Sequence, residues 1–103
     1  MTTNNRRFEA ALLEAIDEAL ISILGESGKG VVYYYLQNSC TLRKENIPEN
    51  TEVFIEFLNK LFGTGAKLIE NTILQNLSRK LGINPEQAKN DKLTDLLRKI
   101  KHE

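Results

Sequence analysis

The fold is decided first by residues 8–25, which read FEAALLEAIDEALISILG. At about 100° per residue, the apolar side chains of this stretch fall on one broad side of a helix. The carboxylates, Asp17 among them, fall on the opposite side, where hydrated charges are expected. Gly25 follows this stretch, and glycine is a residue that commonly ends a helix. The pattern predicts an amphipathic helix over residues 7–24, with an apolar face too wide for one neighbour to cover.

Helical signals continue downstream of Gly25. The run VVYYY, residues 31–35, has strand-forming residues, but no partner strand is visible elsewhere in the chain, so a helix is predicted there. Further helix ends are marked by Gly63 and Gly82, and Asn84-Pro85-Glu86-Gln87 is a helix start. We therefore expect an all-α fold, a compact bundle of about five helices at residues 7–24, 28–40, 51–62, 65–81 and 85–101, with 41–50 as a loop. The whole chain, residues 1–103, would form a single domain with frayed ends at 1–6 and 102–103.

The composition narrows the class of protein. The chain has 103 residues, and its 14 basic and 14 acidic side chains give a formal net charge of zero. A generally basic nucleic-acid binder is therefore not expected. The chain begins MTTNNRRFEA and has one cysteine, which predicts a cytoplasmic protein. No apolar run is long enough to span a membrane.

Catalytic and metal-binding patterns are weak. The string GESGKG, residues 25–30, resembles a phosphate loop, but Ile23 stands where that pattern needs its first glycine and Gly30 where it needs Ser or Thr. We expect a turn between two helices there. Metal ligands are scarce, because Cys40 and His102 are the only residues of their kinds. We predict no enzyme activity, no cofactor and no metal.

Apolar residues in excess of one core predict an interaction surface. Three consecutive tyrosines spread over about 200° of a helix, so at least one should be exposed. Burial of a central helix on two sides is the alternative explanation for such residues. The leading hypothesis is a non-enzymatic protein-interaction or signalling-output module that acts through self-association, as a homodimer, or through partner contact. The candidate interface residues are Tyr33, Tyr34, Ile21, Val53 and Ile55.

The charge is unevenly distributed along the chain. Residues 1–26 have two basic and five acidic side chains, whereas residues 79–103 have seven basic and four acidic ones. An acidic first helix could pair with a basic last one, within a chain or between chains. The alternative function is a DNA-binding adaptor that uses a helix-turn-helix-like hairpin, residues 51–81, and the basic C-terminal helix. Its candidate nucleic-acid contacts are Lys67, Arg79, Lys80, Arg98, Lys99 and Lys101. A small-molecule sensor with a cavity in the bundle is a third hypothesis.

The sequence resembles a small archaeal helical family, the Nitrosopumilus output domain family. The resemblance spans residues 8–83 and lies in LGESGKGVVYYYLQ (24–37), ENIPEN (45–50), FLNKLFGTGAKLIE (57–70) and RKLGI (79–83). Its turn and core residues are Gly25, Tyr34, Ile47-Pro48, Phe62-Gly63, Gly65-Ala66 and Leu81-Gly82. The resemblance implies an archaeal cytoplasmic protein with a role in signalling. It supplies no catalytic residues.

Overall fold

The computed structural model describes residues 2–82, with side chains from Arg7 onward. It has three α-helices: α1 (Thr2–Cys40), α2 (Thr51–Phe62) and α3 (Ala66–Leu81). Short 3-10 helices at Lys44–Glu49 and Gly63–Gly65 lie between them. The all-α prediction is confirmed for residues 2–82, which contain no strand, but the number of helices is three and not about five. The helix predicted at 85–101 lies outside the described residues.

Helix α1 is a hairpin of two antiparallel arms. A straight helix of its 39 residues would be about 58 Å long, whereas the longest dimension of the molecule is 32 Å. The backbone leaves the helical region at Gly25. Asp17 and Tyr33, which would lie about 24 Å apart along a straight helix, are joined by a hydrogen bond. We call residues 2–24 the first arm and residues 26–40 the second arm.

Two glycines make the turn between the arms possible. Gly25 has φ 80° and ψ 173°, a combination that essentially only glycine adopts. Gly28 lies so close to the end of the first arm that a Cβ there would be 2.5 Å from the Cβ of Leu24. The glycines of GESGKG thus allow the hairpin to close, which agrees with the predicted helix–helix turn.

The observed helix bounds correct several predictions. The first arm begins at Thr2 and not at residue 7, and helical structure resumes at residue 26 and not at 28. The loop predicted at 41–50 contains the 3-10 helix Lys44–Glu49. The predicted bounds of α2 are correct, and α3 begins one residue later than predicted. Both helices end at glycines with positive φ, Gly63 and Gly82, as expected.

The core lies between the hairpin and the other two helices. Helix α3 packs along the first arm, where Ala15 and Ala19 are completely buried and their small side chains permit a close approach. The buried apolar residues recur at helical spacing in the first arm, α2 and α3, and further ones come from the second arm and the connection that follows it. They are Phe8, Leu12, Ala15, Ile16, Ala19, Leu20, Val32, Leu36, Leu42, Ile47, Phe54, Phe57, Leu58, Ala66, Ile69, Ile73, Leu74 and Leu77.

Candidate functional site

The surface has a groove between the second arm of α1 and helix α2, which we call the α1–α2 groove. Its volume is about 270 Å³. Three large apolar side chains on its walls are exposed to water: Tyr35 by 47%, Val53 by 40% and Leu61 by 41%. Its lining residues are Tyr35, Ser39, Cys40, Val53, Glu56, Phe57, Lys60 and Leu61.

The spacing of residues on α2 explains how this helix contributes to the groove. Val53, Phe57 and Leu61 lie four residues apart and form a row that turns by about 40° at each step. Phe57 is buried, while Val53 and Leu61 at either end of the row remain exposed. The row therefore belongs to the core face of α2 at Phe57, and only its two ends are left uncovered.

A charged row runs beside this apolar row. Glu56 and Lys60 are both exposed and lie one turn apart on the wall of the groove. Neither forms an ion pair within residues 2–82. The groove therefore offers a partner both an apolar surface and one charge of each sign.

A polar cluster of Asp17, Tyr33 and Lys44 joins the two arms of the hairpin, and none of its three residues lines the α1–α2 groove. The Tyr33 hydroxyl donates to Oδ1 of Asp17 at 2.5 Å, and Nζ of Lys44 donates to Oδ2 at 2.8 Å. The Lys44 ammonium also lies 5.5 Å from the centre of the Tyr33 ring, within cation–π range. The cluster joins both arms of α1 to the 3-10 helix that follows them, so its role is structural.

The cluster changes the ionisation of its members. Partial burial acts to raise the pKa of Asp17, but the hydrogen bonds from Lys44 and Tyr33 outweigh it, and the pKa lies below its usual 3.8. Burial, together with the hydrogen bond to Asp17, raises the pKa of Tyr33 far above its usual 10.0. At neutral pH the cluster thus holds a carboxylate and a protonated phenol. Asp17 was expected on a solvent face, but it is only partly exposed because Tyr33 and Lys44 bind its carboxylate.

A second charged cluster joins α3 to the first arm. Nζ of Lys80 donates to Glu14 at 3.1 Å and to Glu18 at 2.9 Å. These hydrogen bonds, to Glu18 first and then to Glu14, raise the pKa of Lys80. Lys80 lies at the start of the basic segment 79–103 and contacts the acidic first arm, whereas the predicted last helix, 85–101, lies outside the described residues.

The candidate nucleic-acid contacts are not brought together in the described residues. Lys80 is occupied by two carboxylates, and the Arg79 guanidinium donates to the side chain of Asn76. Lys67 is exposed at the opposite end of α3. Arg98, Lys99 and Lys101 lie outside the described residues. The arrangement of Lys67, Arg79 and Lys80 does not favour phosphate binding.

The candidate interface residues divide into two groups. Tyr34 is exposed by 65%, and Val53 is exposed in the α1–α2 groove. Tyr33 and Ile55 are partly buried and pack against the core, and Ile21 is also partly buried. Tyr33 is in addition held by Asp17, which leaves Tyr34 and Val53 as the residues that a partner could reach most easily.

Of the residues that line the groove, sequence analysis named Val53 alone as a candidate interface residue. Tyr35 lies at helical spacing from the buried Val32, and Leu61 from the buried Phe57, yet both Tyr35 and Leu61 are exposed. The Tyr35 ring instead packs against the edge of the neighbouring Tyr34 ring, with centroids 5.8 Å apart. Helical spacing shows which residues share a face but not how far the neighbouring helix covers that face.

Other candidate chemistry is limited in the described part of the chain. Cys40 is a free, partly buried thiol on the wall of the groove. Residues 2–82 contain no group of three potential metal ligands. None of the helices in that range has the length and apolar character needed to cross a bilayer. Comparison of the chain with known protein families, curated proteins and solved structures finds no match.

Proposed function

We propose that this protein is a non-enzymatic interaction module that acts through self-association, as a homodimer, with the α1–α2 groove as its contact surface. The observation that carries the proposal is the exposure of Tyr35, Val53 and Leu61 around one groove. Apolar residues clustered in this way mark interaction sites more often than apolar residues scattered over a surface. Tyrosine is also enriched at interfaces, because it combines a large ring with a hydroxyl that tolerates water.

The chemistry of the polar side chains supports contact over catalysis. Asp17 is held as a carboxylate by Tyr33 and Lys44, and the phenol of Tyr33 is held in its protonated form. Groups fixed in one protonation state near neutral pH are poor general acids and bases. We also propose that the module acts as an output domain of a signalling system in the cytoplasm of an archaeon. This part of the proposal rests on the family resemblance.

Self-association is tested by sedimentation equilibrium of the full chain over a concentration series that reaches the millimolar range. We expect a monomer–dimer equilibrium that the double variant Tyr35→Ser/Leu61→Ser weakens. The matched control is Leu68→Ser, because Leu68 is exposed by 60% on α3 and does not line the groove. A chain that stays monomeric throughout, or a control variant that weakens association as much as the groove variant, would refute the proposal.

A further inference from the structure

The α1–α2 groove has apolar walls that nothing covers within residues 2–82. Six large apolar side chains are exposed among the described residues, and three of them, Tyr35, Val53 and Leu61, line the groove. The exposed ones that do not line it are Val31, Tyr34 and Leu68. The groove is therefore the described surface where a single apolar cover would remove the most such side chains from water at once.

The chain has a segment whose chemistry suits this groove. Residues 85–101, for which the sequence predicts a helix, lie outside the described residues. At about 100° per residue, four large apolar residues of this segment fall on one side of the predicted helix, and Asp91 and Asp95 fall on the opposite side. The four, which we call the C-terminal stripe, are Leu93, Leu96, Leu97 and Ile100. Most of the stability of such a helix comes from packing its apolar stripe against another apolar surface.

The place where α3 ends, and the length of chain beyond it, allow the C-terminal stripe to reach the groove. Gly82 has a left-handed backbone, φ 73° and ψ 25°, so α3 ends there and the chain turns. Three extended steps from Gly82 to Pro85 cover up to about 10 Å, and eight helical steps from Pro85 to Leu93 add about 12 Å. The stripe thus begins within about 22 Å of Gly82 and ends, at Ile100, within about 33 Å. The longest dimension of the molecule is 32 Å.

From the uncovered groove and the C-terminal stripe we propose that residues 85–101 dock as a helix in the α1–α2 groove of their own chain. The stripe then packs against Tyr35, Val53 and Leu61, and the segment competes with a second copy for the same surface. This regulation rests on the proposed self-association and limits it, because the apparent affinity of the dimer is reduced by the fraction of chains whose groove is open.

Disulfide trapping on the full chain tests the docking, because Cys40 is the only cysteine and lines the groove. The stripe variants are Leu93→Cys, Leu97→Cys and Ile100→Cys, and Asp95→Cys, on the opposite side of the predicted helix, is the matched control. Since a disulfide requires Cα atoms within about 7 Å, we expect at least one stripe variant to form an intramolecular disulfide with Cys40 about tenfold faster than the control. Stripe variants no faster than the control, or disulfides that join only different chains, would overturn the docking.

Sedimentation equilibrium of the full chain tests the competition. Leu96→Ser/Leu97→Ser weakens the C-terminal stripe and opens the groove, so we expect the dissociation constant of the dimer to fall about tenfold. The matched control Asp91→Ser/Asp95→Ser should leave it unchanged. A stripe variant that dimerises no more tightly than wild type would overturn the regulation. If wild type and stripe variant both stay monomeric, the proposed self-association is refuted instead, and the disulfide result still decides whether the segment docks.

Discussion

The closing of the α1 hairpin depends on the backbone conformation of Gly25, and Gly25→Ala is the perturbation that tests this dependence. Gly25 has φ 80° and ψ 173°, and a Cβ at this position would have open space around it. The cost of the substitution therefore comes from backbone strain and not from a steric clash. Alanine at this position favours a helical backbone, which would continue the first arm straight into the second.

The magnitude follows from the backbone conformation. Holding a residue other than glycine in this region costs about 1–3 kcal/mol. A domain of this size is stable by about 5–15 kcal/mol, so the substitution removes a substantial fraction of that stability. For a loss of about 2 kcal/mol we expect the melting temperature to fall by about 10 °C.

Gly30→Ala is the matched control, because Gly30 lies in the second arm, has no positive φ and also has open space at its Cβ position. Alanine in a helix interior is favoured over glycine by about 0.5–1 kcal/mol, so this variant should be more stable than wild type. Urea denaturation followed by circular dichroism measures both changes. If Gly25→Ala were as stable as wild type, or gained stability as Gly30→Ala is expected to, the reasoning about the hairpin would be wrong.

Three further predictions concern polar groups that are buried or partly buried. Because the folded-state pKa of Asp17 is lowered, its contribution to stability is present above the unfolded pKa near 3.8 and is lost as the pH falls through the folded value. Urea denaturation at several acidic pH values should show that the free energy of unfolding decreases less steeply with falling pH for Asp17→Asn than for wild type. The same pH dependence in both proteins would contradict this role of Asp17. Because the folded-state pKa of Tyr33 is raised, its contribution to the free energy of unfolding is present below pH 10.0 and is lost as the pH rises above that value. Tyr33→Phe should remove this loss of stability at alkaline pH. The third prediction concerns Ser78, whose hydroxyl is buried in α3 without a hydrogen-bond partner among the described residues. Ser78→Ala should stabilise the protein by about 1 kcal/mol in the same denaturation assay, because an unsatisfied polar group is removed, and a loss of stability would show that the hydroxyl has a partner after all.

Local sequence signals were sufficient for the helical class and for most helix ends. The bounds of α2, the ends of α2 and α3 at Gly63 and Gly82, and the break at Gly25 all follow from glycines beside periodic apolar stripes. These features depend on the φ and ψ of single residues and on a repeat of 3.6 residues, which are both local. Asparagine is a favoured residue just before a helix, but the Asn50 side chain donates to the carbonyl of Asn46 and does not cap α2.

The exposure and the contacts of the surface side chains could be determined only from the tertiary structure. The sequence alone determined that Tyr33, Tyr34 and Tyr35 could not all face one core. Only the folded hairpin decided that Tyr33 meets Asp17 and that Tyr35 borders a groove with Leu61. The physical reason is that exposure depends on which helix lies opposite, and that neighbour comes from a distant part of the chain. Helical periodicity selects the face of a helix, whereas packing between helices determines how much of that face is covered.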